Sequence, residues 1–597
     1  MTPSAAPATT NPYTLSSARG QQDAGILEAL QRLAPLMAGE RRRLTIAFVA
    51  TLVASGSALV APVIISRAVD TYIRNRDFPG VLQQAGLLLL SYLAGLVATY
   101  VQTLQMGKVG RYVLFNLRNA LFTKLQQLPV DFFNQNKAGD LISRINNDTD
   151  RLNQFFSQAL VQLAGNVFLM AGAAIFLVSL HVRLGLATLV PALGVLLLTK
   201  ATGAWVRHRN RASLRALGAL SGEVQESTSN FRVILAFNRV DYFRQQFATV
   251  NEQNYHAAVD AGLATNIYIP IYGLAFNLAQ LAVLAYGFSL IAAGQLTLGL
   301  LIGYLLYVNN FYMPLRQLAA IWSSLQLALA SIDRISEVLS LEPNLPQLPA
   351  DNAAREAGTA VLAFDHVRFH YPGGMEVLRD ATFTLDRGKT YALVGPTGGG
   401  KTTTASLMAR LYDPTGGRVL LDGRDIRTYS PADRAKRIGF ILQEPFLFTG
   451  TLRDNLVYGN DDLLTLSNQQ LEDRLAARHL SALLARFEQG LDTQVTSASE
   501  GVSLGQKQIV AFIRAVLRDP EILVLDEATA NIDTVTEQLL EQILRELPPT
   551  TTKVVIAHRL NTIENADEIF FINAGEITRA GSMANALDLL MHGKRES

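Results

Sequence analysis

The chain contains no cysteine, which excludes disulfides, thiolate metal sites and cysteine nucleophiles together. Nor does it carry an excess of either charge. Its 52 Lys and Arg against 50 Asp and Glu leave a net +2, too little to attract nucleic acid through a global field, so no nucleic-acid partner is expected. Met1 to Asp23 is rich in Ala, Thr, Ser and Gln and lacks an apolar core. It reads as part of a flexible tail over residues 1–25 and not as a cleaved leader, and the chain is expected to begin in the cytoplasm. Charge is scarcest, however, in a set of long apolar stretches. With 49% hydrophobic residues and a mean hydropathy of +0.19 in 597 residues, the composition is that of a multi-domain membrane protein.

Apolar residues at helical spacing from Ile26 to Met37, followed by Arg41-Arg42-Arg43, predict an interfacial helix entering a membrane. Leu44 to Val69 is long enough to cross ~30 Å of hydrocarbon and reads as the first of six spans, the others being Leu82 to Leu104, Leu160 to Leu180, Leu184 to Leu198, Ala264 to Ala293 and Leu296 to Trp322. Loop charge orients them. Lys108, Arg111, Arg118, Lys124, Lys137, Arg144 and Arg151 lie between the second and third, and Lys200, Arg207, Arg209, Arg211, Arg215, Arg232, Arg239 and Arg244 between the fourth and fifth. The opposite loops hold only Arg74, Arg76 and Arg183. Basic loops stay cytoplasmic, so both long loops and both termini are expected there, with helices two to five projecting beyond the bilayer as stalks. The boundaries expected are a membrane domain over 26–340, a Pro-rich linker over 341–359 with Pro343, Pro346 and Pro349, and an α/β domain over 360–597. In that last domain Val361 to Phe369, Thr390 to Val394, Ile438 to Leu442, Ile522 to Leu525 and Val554 to Ile556 read as strands.

The most specific local pattern is Gly395-Pro396-Thr397-Gly398-Gly399-Gly400-Lys401-Thr402, directly after the apolar run Tyr391 to Val394. A strand, a glycine-rich loop and a helix start in that order turn backbone N–H groups around phosphates. Lys401 reaches the β/γ oxygens and Thr402 is placed to ligate Mg²⁺. Downstream, Ile522-Leu523-Val524-Leu525 ends in Asp526-Glu527. Asp526 suits Mg²⁺ and Glu527 suits polarisation of an attacking water, the alternative being two acids that merely open the following helix.

With these motifs in order, the second half resembles the ATPase subunit of an ATP-binding cassette (ABC) transporter, and the chain from about Ile26 onward resembles an ABC exporter half-transporter. The resemblance implies ATP and Mg²⁺ as cofactors, held by Gly395 through Thr402 with Thr403. Tyr371 in Phe369-His370-Tyr371-Pro372 is then the residue that stacks on adenine. Gln443 contacts the metal together with Thr402 and Asp526, His558 senses the γ-phosphate, and Ala530-Asn531-Ile532-Asp533 replaces the family's S-A-L-D. The family's L-S-G-G-Q signature appears as Val502-Ser503-Leu504-Gly505-Gln506, with Leu at the middle Gly. Ser503, Gly505 and Gln506 remain to face a γ-phosphate, and Ser497 stands where exporters usually carry a coupling Glu.

Because the family pairs one chain's phosphate loop with its partner's signature, a second half-transporter chain is implied. An intact Glu527 beside an altered signature resembles one member of a heterodimeric exporter more than a homodimer. Coupling segments are expected around Pro129 to Phe133 with Gly139, Arg144 and Asp148, and around Glu226, Phe231, Arg232, Ala236 and Phe237. For cargo, Tyr304, Tyr307, Asn310 and Phe311 in the sixth span, with Tyr268, Tyr272, Phe276 and Tyr286 in the fifth, read either as helix packing or as an aromatic cavity for amphipathic or cationic small molecules. Charge is scarce in these spans, which argues against proton coupling. The function expected is ATP-driven export of hydrophobic or amphipathic molecules across the cytoplasmic membrane, in contact with membrane lipid. The rivals are a lipid or lipid-linked-sugar flippase and an ATP-gated channel or regulator.

Overall fold

The computed structural model describes residues 13–15, 34–342, 345, 347–349, 360–443, 445–496, 502–526, 534–556, 566–581 and 583–592. Contacts divide the chain into two compact units. One gathers Met1–Ser16, Gln126–Ala138 and Leu341–Ser597, and the other gathers Ser17–Leu125 and Gly139–Ser340.

The second unit is all helix. Six helices among the described residues are long and apolar enough to cross a membrane. We name α1 (Arg41–Arg67), α2 (Phe78–Gln127), the six-residue α3 (Val130–Gln135) that the other unit claims, α4 (Ala138–Leu180), α5 (Val182–Ser229), the short α6 (Phe231–Ala236), α7 (Val240–Ala292) and α8 (Leu298–Leu339). The expected interfacial helix falls mostly outside the described residues; its end, Ala34–Glu40, is a 3₁₀ turn leading into α1. Helices α2, α4, α5 and α7 run 50, 43, 48 and 53 residues. At 1.5 Å per residue a 50-residue helix is about 75 Å long, more than twice the ~30 Å of hydrocarbon it must cross. The stalk-like length expected from the sequence is therefore present. Only 11% of the apolar window of α2 is buried, and Leu89, Leu90 and Leu96 stand exposed, a surface that suits lipid and would be a liability in water.

Tight turns hold these helices in register. A single residue, His181, separates α4 from α5, and its Nδ1 accepts the N–H of Leu184, capping α5. Gly185 is required there, because a Cβ would lie 2.4 Å from the Leu177 carbonyl oxygen. Asp70, just past α1, caps α8 by accepting the Gly299 N–H at 2.8 Å and the Thr297 hydroxyl. Toward the other end of α8 lies a buried ion network. Arg144, with a side chain 2% exposed, bonds Asp140 Oδ2 at 3.0 Å, Glu337 Oε2 at 2.8 Å and the Arg334 carbonyl at 2.6 Å. Asp148, fully buried, faces Arg334 Nε at 3.3 Å and accepts from Ser331 Oγ at 3.1 Å. On α6 Ile234 is buried, while Phe231, Val233 and Leu235, with Phe237 just past its end, remain more than half exposed.

The first unit is α/β. Strands β1 (Ala360–His370), β2 (Glu376–Asp386), β4 (Gly416–Leu421) and β5 (Arg424–Asp425) form an antiparallel sheet in the order β2-β1-β4-β5. The main sheet runs β12 (Glu576–Arg579), β11 (Glu568–Asn573), β3 (Thr390–Val394), β10 (Thr552–Ile556), β9 (Ile522–Asp526) and β6 (Ile438–Ile441), parallel except for the β11/β12 pair. A small ribbon of β7 (Gly450–Thr451) and β8 (Gln494–Val495) stands apart. Between the two large sheets lies α9 (Lys401–Met408). Its Ala405, Leu407 and Met408 join Phe364, Phe383, Leu393 and Val524 in one core, with Phe364 stacked on Phe383 at 4.5 Å.

Sequence reading placed β1, β3, β6, β9 and β10 and missed β2, β4, β11 and β12. Of residues 1–25, expected to be a flexible tail, only 13–15 are among the described residues; there Tyr13 is 4% exposed and its hydroxyl donates to the Glu342 carbonyl at 3.0 Å.

Candidate nucleotide-binding site

The glycine-rich loop leaves β3 with backbone angles that only glycine takes readily: φ is +146° at Gly395, +81° at Gly398 and +114° at Gly400. A Cβ on Gly395 would sit 2.0 Å from the Ile572 carbonyl oxygen. The loop is thus pressed against the end of β11, and the concave side of the turn, with the start of α9, is left to a ligand. Lys401 folds back over it, donating from Nζ to the Gly395 and Pro396 carbonyls at 2.8 and 3.0 Å. A buried ammonium resting on loop carbonyls is ready to exchange them for phosphate oxygens.

Two of the residues expected on the metal side lie together. Thr402 Oγ1 lies 3.4 Å from Asp526 Oδ1, and Asp526 is 2% exposed at the end of β9. Beside it, β6 runs parallel with Ile441 opposite Leu525, so Gln443 leaves the same sheet edge as Asp526. No cluster of three His, Asp or Glu exists among the described residues to hold a resident metal. A hydroxyl, one carboxylate and a strand-end amide suit Mg²⁺, which keeps waters and completes its shell with nucleotide phosphates. The residues present therefore fit MgATP: the loop would hold the phosphates, and Thr402, Asp526 and Gln443 would orient the cation.

Tyr371 sits at the far end of the site. Its hydroxyl pairs with Thr403 Oγ1 at 3.0 Å, a role for Thr403 that the motif does not reveal. Its ring meets Tyr412 at 5.3 Å and 90°, and both meet Phe369. Asn134, on α3, donates to the Tyr412 hydroxyl at 2.8 Å. Burial, with Tyr371 and Asp131 adding to it, pushes the Tyr412 phenol up, so it stays protonated. Sequence reading missed Tyr412 and Asn134, although Arg-Leu-Tyr-Asp-Pro directly after α9 offered an aromatic at a sheet edge.

The altered signature opens α10 (Leu504–Val516). Ser503 Oγ accepts the Gln506 N–H at 3.2 Å while Gln506 Oε1 accepts the Ser503 N–H at 2.9 Å, a reciprocal cap that leaves the Ser503 O–H and the Gly505 N–H free of helical duty. Leu504 takes the first helical position, where any residue fits, and its side chain is 42% exposed. The substitution costs the fold nothing; its effect falls on whatever approaches this helix end. Ser497, Glu527, Ala530 to Asp533 and His558 lie outside the described residues.

In the membrane unit three of the candidate cargo aromatics are spent on packing. Tyr304 is fully buried and donates to the Leu177 carbonyl at 2.6 Å, Tyr307 donates to the Leu59 carbonyl at 2.6 Å and stacks on Phe176, and Asn310 donates to the Ala58 carbonyl at 3.1 Å. Tyr272 is buried too. The packing alternative holds for these residues, and an aromatic cavity built from Tyr304 and Tyr307 does not form.

Two family models cover most of this architecture: the ABC transporter transmembrane region matches residues 44–315 and the ABC transporter model residues 378–530. A one-chain fusion of membrane and ATPase parts defines an ATP-hydrolysing half-transporter of exporter type. A fatty acid ABC transporter ATP-binding/permease protein of Mycobacterium bovis is 33% identical over 86% of this chain and 80% of its own length. An uncharacterized ABC transporter ATP-binding protein of Bacillus subtilis, YfiC, is 32% identical over 93% and 91%, and a multidrug resistance ABC transporter ATP-binding and permease protein of Lactococcus lactis is 30% identical over 83% and 84%. The chain belongs to the ABC transporter family.

Proposed function

We propose that this chain is one half of a dimeric exporter that moves hydrophobic or amphipathic small molecules out across the cytoplasmic membrane, with both termini and the ATPase domain inside. The carrying observation is the division of the nucleotide site. Gly395 to Thr403, Tyr371, Gln443 and Asp526 make a phosphate, adenine and Mg²⁺ cradle, while Ser503, Gly505 and Gln506 are displayed on a separate helix end that has no nucleotide of its own to meet. Such halves complete each other in a dimer, and the exposed apolar face of α6 supplies a surface for a partner chain to cover. Glu527 polarises the attacking water and His558 reads the γ-phosphate. ATP binding stabilises the closed pair of ATPase domains and hydrolysis releases it, so the membrane helices alternate between two states by differential affinity.

A heterodimer is the form we favour. Leu504 projects its side chain from the helix end where the family presents a bare glycine backbone, narrowing the approach of a γ-phosphate. The site built from this chain's own cradle therefore needs a partner's intact signature. Apolar, amphipathic cargo is supported by the near absence of charge in the fifth and sixth spans and by relatives named for fatty acid and multidrug transport. The test is ATPase activity of the purified chain in lipid nanodiscs, wild type against Glu527→Gln, with particle mass measured. Turnover from a dimer of this chain alone would refute the heterodimer. Uphill accumulation of an amphipathic dye in sealed vesicles, abolished by Glu527→Gln, separates an exporter from an ATP-gated channel.

A further inference from the structure

Asn136 follows α3 directly, and its side-chain amide makes three hydrogen bonds. Its Oδ1 accepts the Leu15 N–H at 3.2 Å, and its Nδ2 donates to the Tyr13 carbonyl at 2.8 Å and to the Phe132 carbonyl at 2.7 Å. Bonding the N–H of one residue and the C=O of the residue two before it is what a parallel neighbouring strand does, so one amide reads the backbone without reading its side chains. Thr14 Oγ1 adds a bond to Gln135 Oε1 at 3.3 Å, and the buried Tyr13 donates its hydroxyl to the Glu342 carbonyl at 3.0 Å. Residues 13–15, 132–136 and 342, separated by as many as 329 positions, meet at one point.

We infer that the loop end of α3, centred on Asn136, is a backbone-recognition site whose occupant is the chain's own segment Tyr13–Leu15, and that this clasp ties the N-terminal segment, α3 and the start of the linker into one mechanical element. All three pieces belong to the same compact unit. The placement gives the clasp a consequence for nucleotide binding. Asn134, two residues before Asn136, holds the Tyr412 hydroxyl, and Tyr412 braces the ring of Tyr371. Release of Tyr13–Leu15 therefore loosens the segment that steadies the adenine end of the site. The N-terminal stretch, which has no motif, acts through backbone bonds and one tyrosine.

Because the chain has no cysteine, Thr14→Cys with Gln135→Cys gives a unique thiol pair for a short bismaleimide in the full-length protein in nanodiscs. A cross-link within one chain is expected, and Asn136→Ala is expected to slow it about tenfold, the effect of losing one to two net hydrogen bonds. Linkage between two chains would overturn the proposal by assigning the site to a second copy, as would failure to link while each thiol reacts singly. Asn136→Ala also removes the bond to Phe132, so deletion of residues 2–16, which leaves Asn136 in place, is the independent measurement. Amide exchange across residues 130–136 is expected to speed up about tenfold in the deletion and about threefold in Tyr13→Phe. Unchanged exchange in the deletion would overturn the proposal.

Discussion

Replacing Arg144 by Ala removes the centre of the ion network that joins α4 to α8. Its guanidinium, 2% exposed, makes bonds of 3.0, 2.8 and 2.6 Å to Asp140, Glu337 and the Arg334 carbonyl. Breaking a buried ion pair by removing one partner costs about 3–5 kcal/mol. The lower end applies here, because Asp140 is 40% exposed and keeps Arg334 at 2.7 Å, and Glu337 is 24% exposed, so water recovers part of the loss. We expect a loss of about 3 kcal/mol for Arg144→Ala and about 1–2 kcal/mol for Glu337→Ala. In the double variant the two fall short of additivity by about 1 kcal/mol or more, because both remove the same bond. Arg144→Lys should not rescue, since a single ammonium cannot satisfy three acceptors spread around a planar fork. Equilibrium unfolding in mixed micelles, followed by titration with a denaturing detergent, measures all four. A loss below about 1 kcal/mol for Arg144→Ala, or additivity within ~0.5 kcal/mol, would refute the reasoning.

Gly395→Ala is expected to abolish ATP binding, read by displacement of a fluorescent nucleotide, because its Cβ would meet the Ile572 carbonyl at 2.0 Å in a backbone conformation closed to alanine. Tyr304→Phe should cost about 1–2 kcal/mol in the same detergent titration, since the Leu177 carbonyl at the end of α4 loses a buried donor. Chelation of Mg²⁺ should stop turnover and weaken nucleotide binding, more severely in wild type than in Asp526→Asn, where the cation is already poorly held. Asp454 accepts the Thr451 N–H and then the Thr451 hydroxyl, which holds its carboxyl below the usual 3.8. A depressed carboxylate stabilises the fold above its unfolded value and loses that contribution as pH falls through the folded one. Thermal melts below about pH 4 should therefore separate wild type from Asp454→Asn less than melts at neutral pH do.

Much of this was legible in local sequence because it is decided locally. A helix that must cross hydrocarbon satisfies every backbone group within itself, so six long apolar runs, with charge confined to Arg67 and Arg316, announce six spans, and continued helical spacing announces the long stalks. The phosphate loop is equally local: strand, glycines and Lys-Thr lie within a dozen residues, and the glycines are needed for φ values the structure then displays at Gly395, Gly398 and Gly400. Strands β2, β4, β11 and β12 escaped because their existence depends on partners far along the chain, such as the pairing of Glu568 with Tyr391.

The sequence by itself determined the class of the protein, the number of spans, and the strand–glycine-loop–helix order that the structure shows at Gly395 to Lys401. Tertiary structure alone decided which polar groups face which carbonyls. It turned Tyr304 and Tyr307 from candidate cargo ligands into buried donors to the Leu177 and Leu59 carbonyls, joined Asn134 to Tyr412 across 278 residues, and seated a motif-free Tyr13 on Asn136. Periodicity and motif are properties of neighbours in the chain. A hydrogen bond between distant residues leaves no periodic trace, and it exists only once the backbone has folded to bring donor and acceptor within about 3 Å.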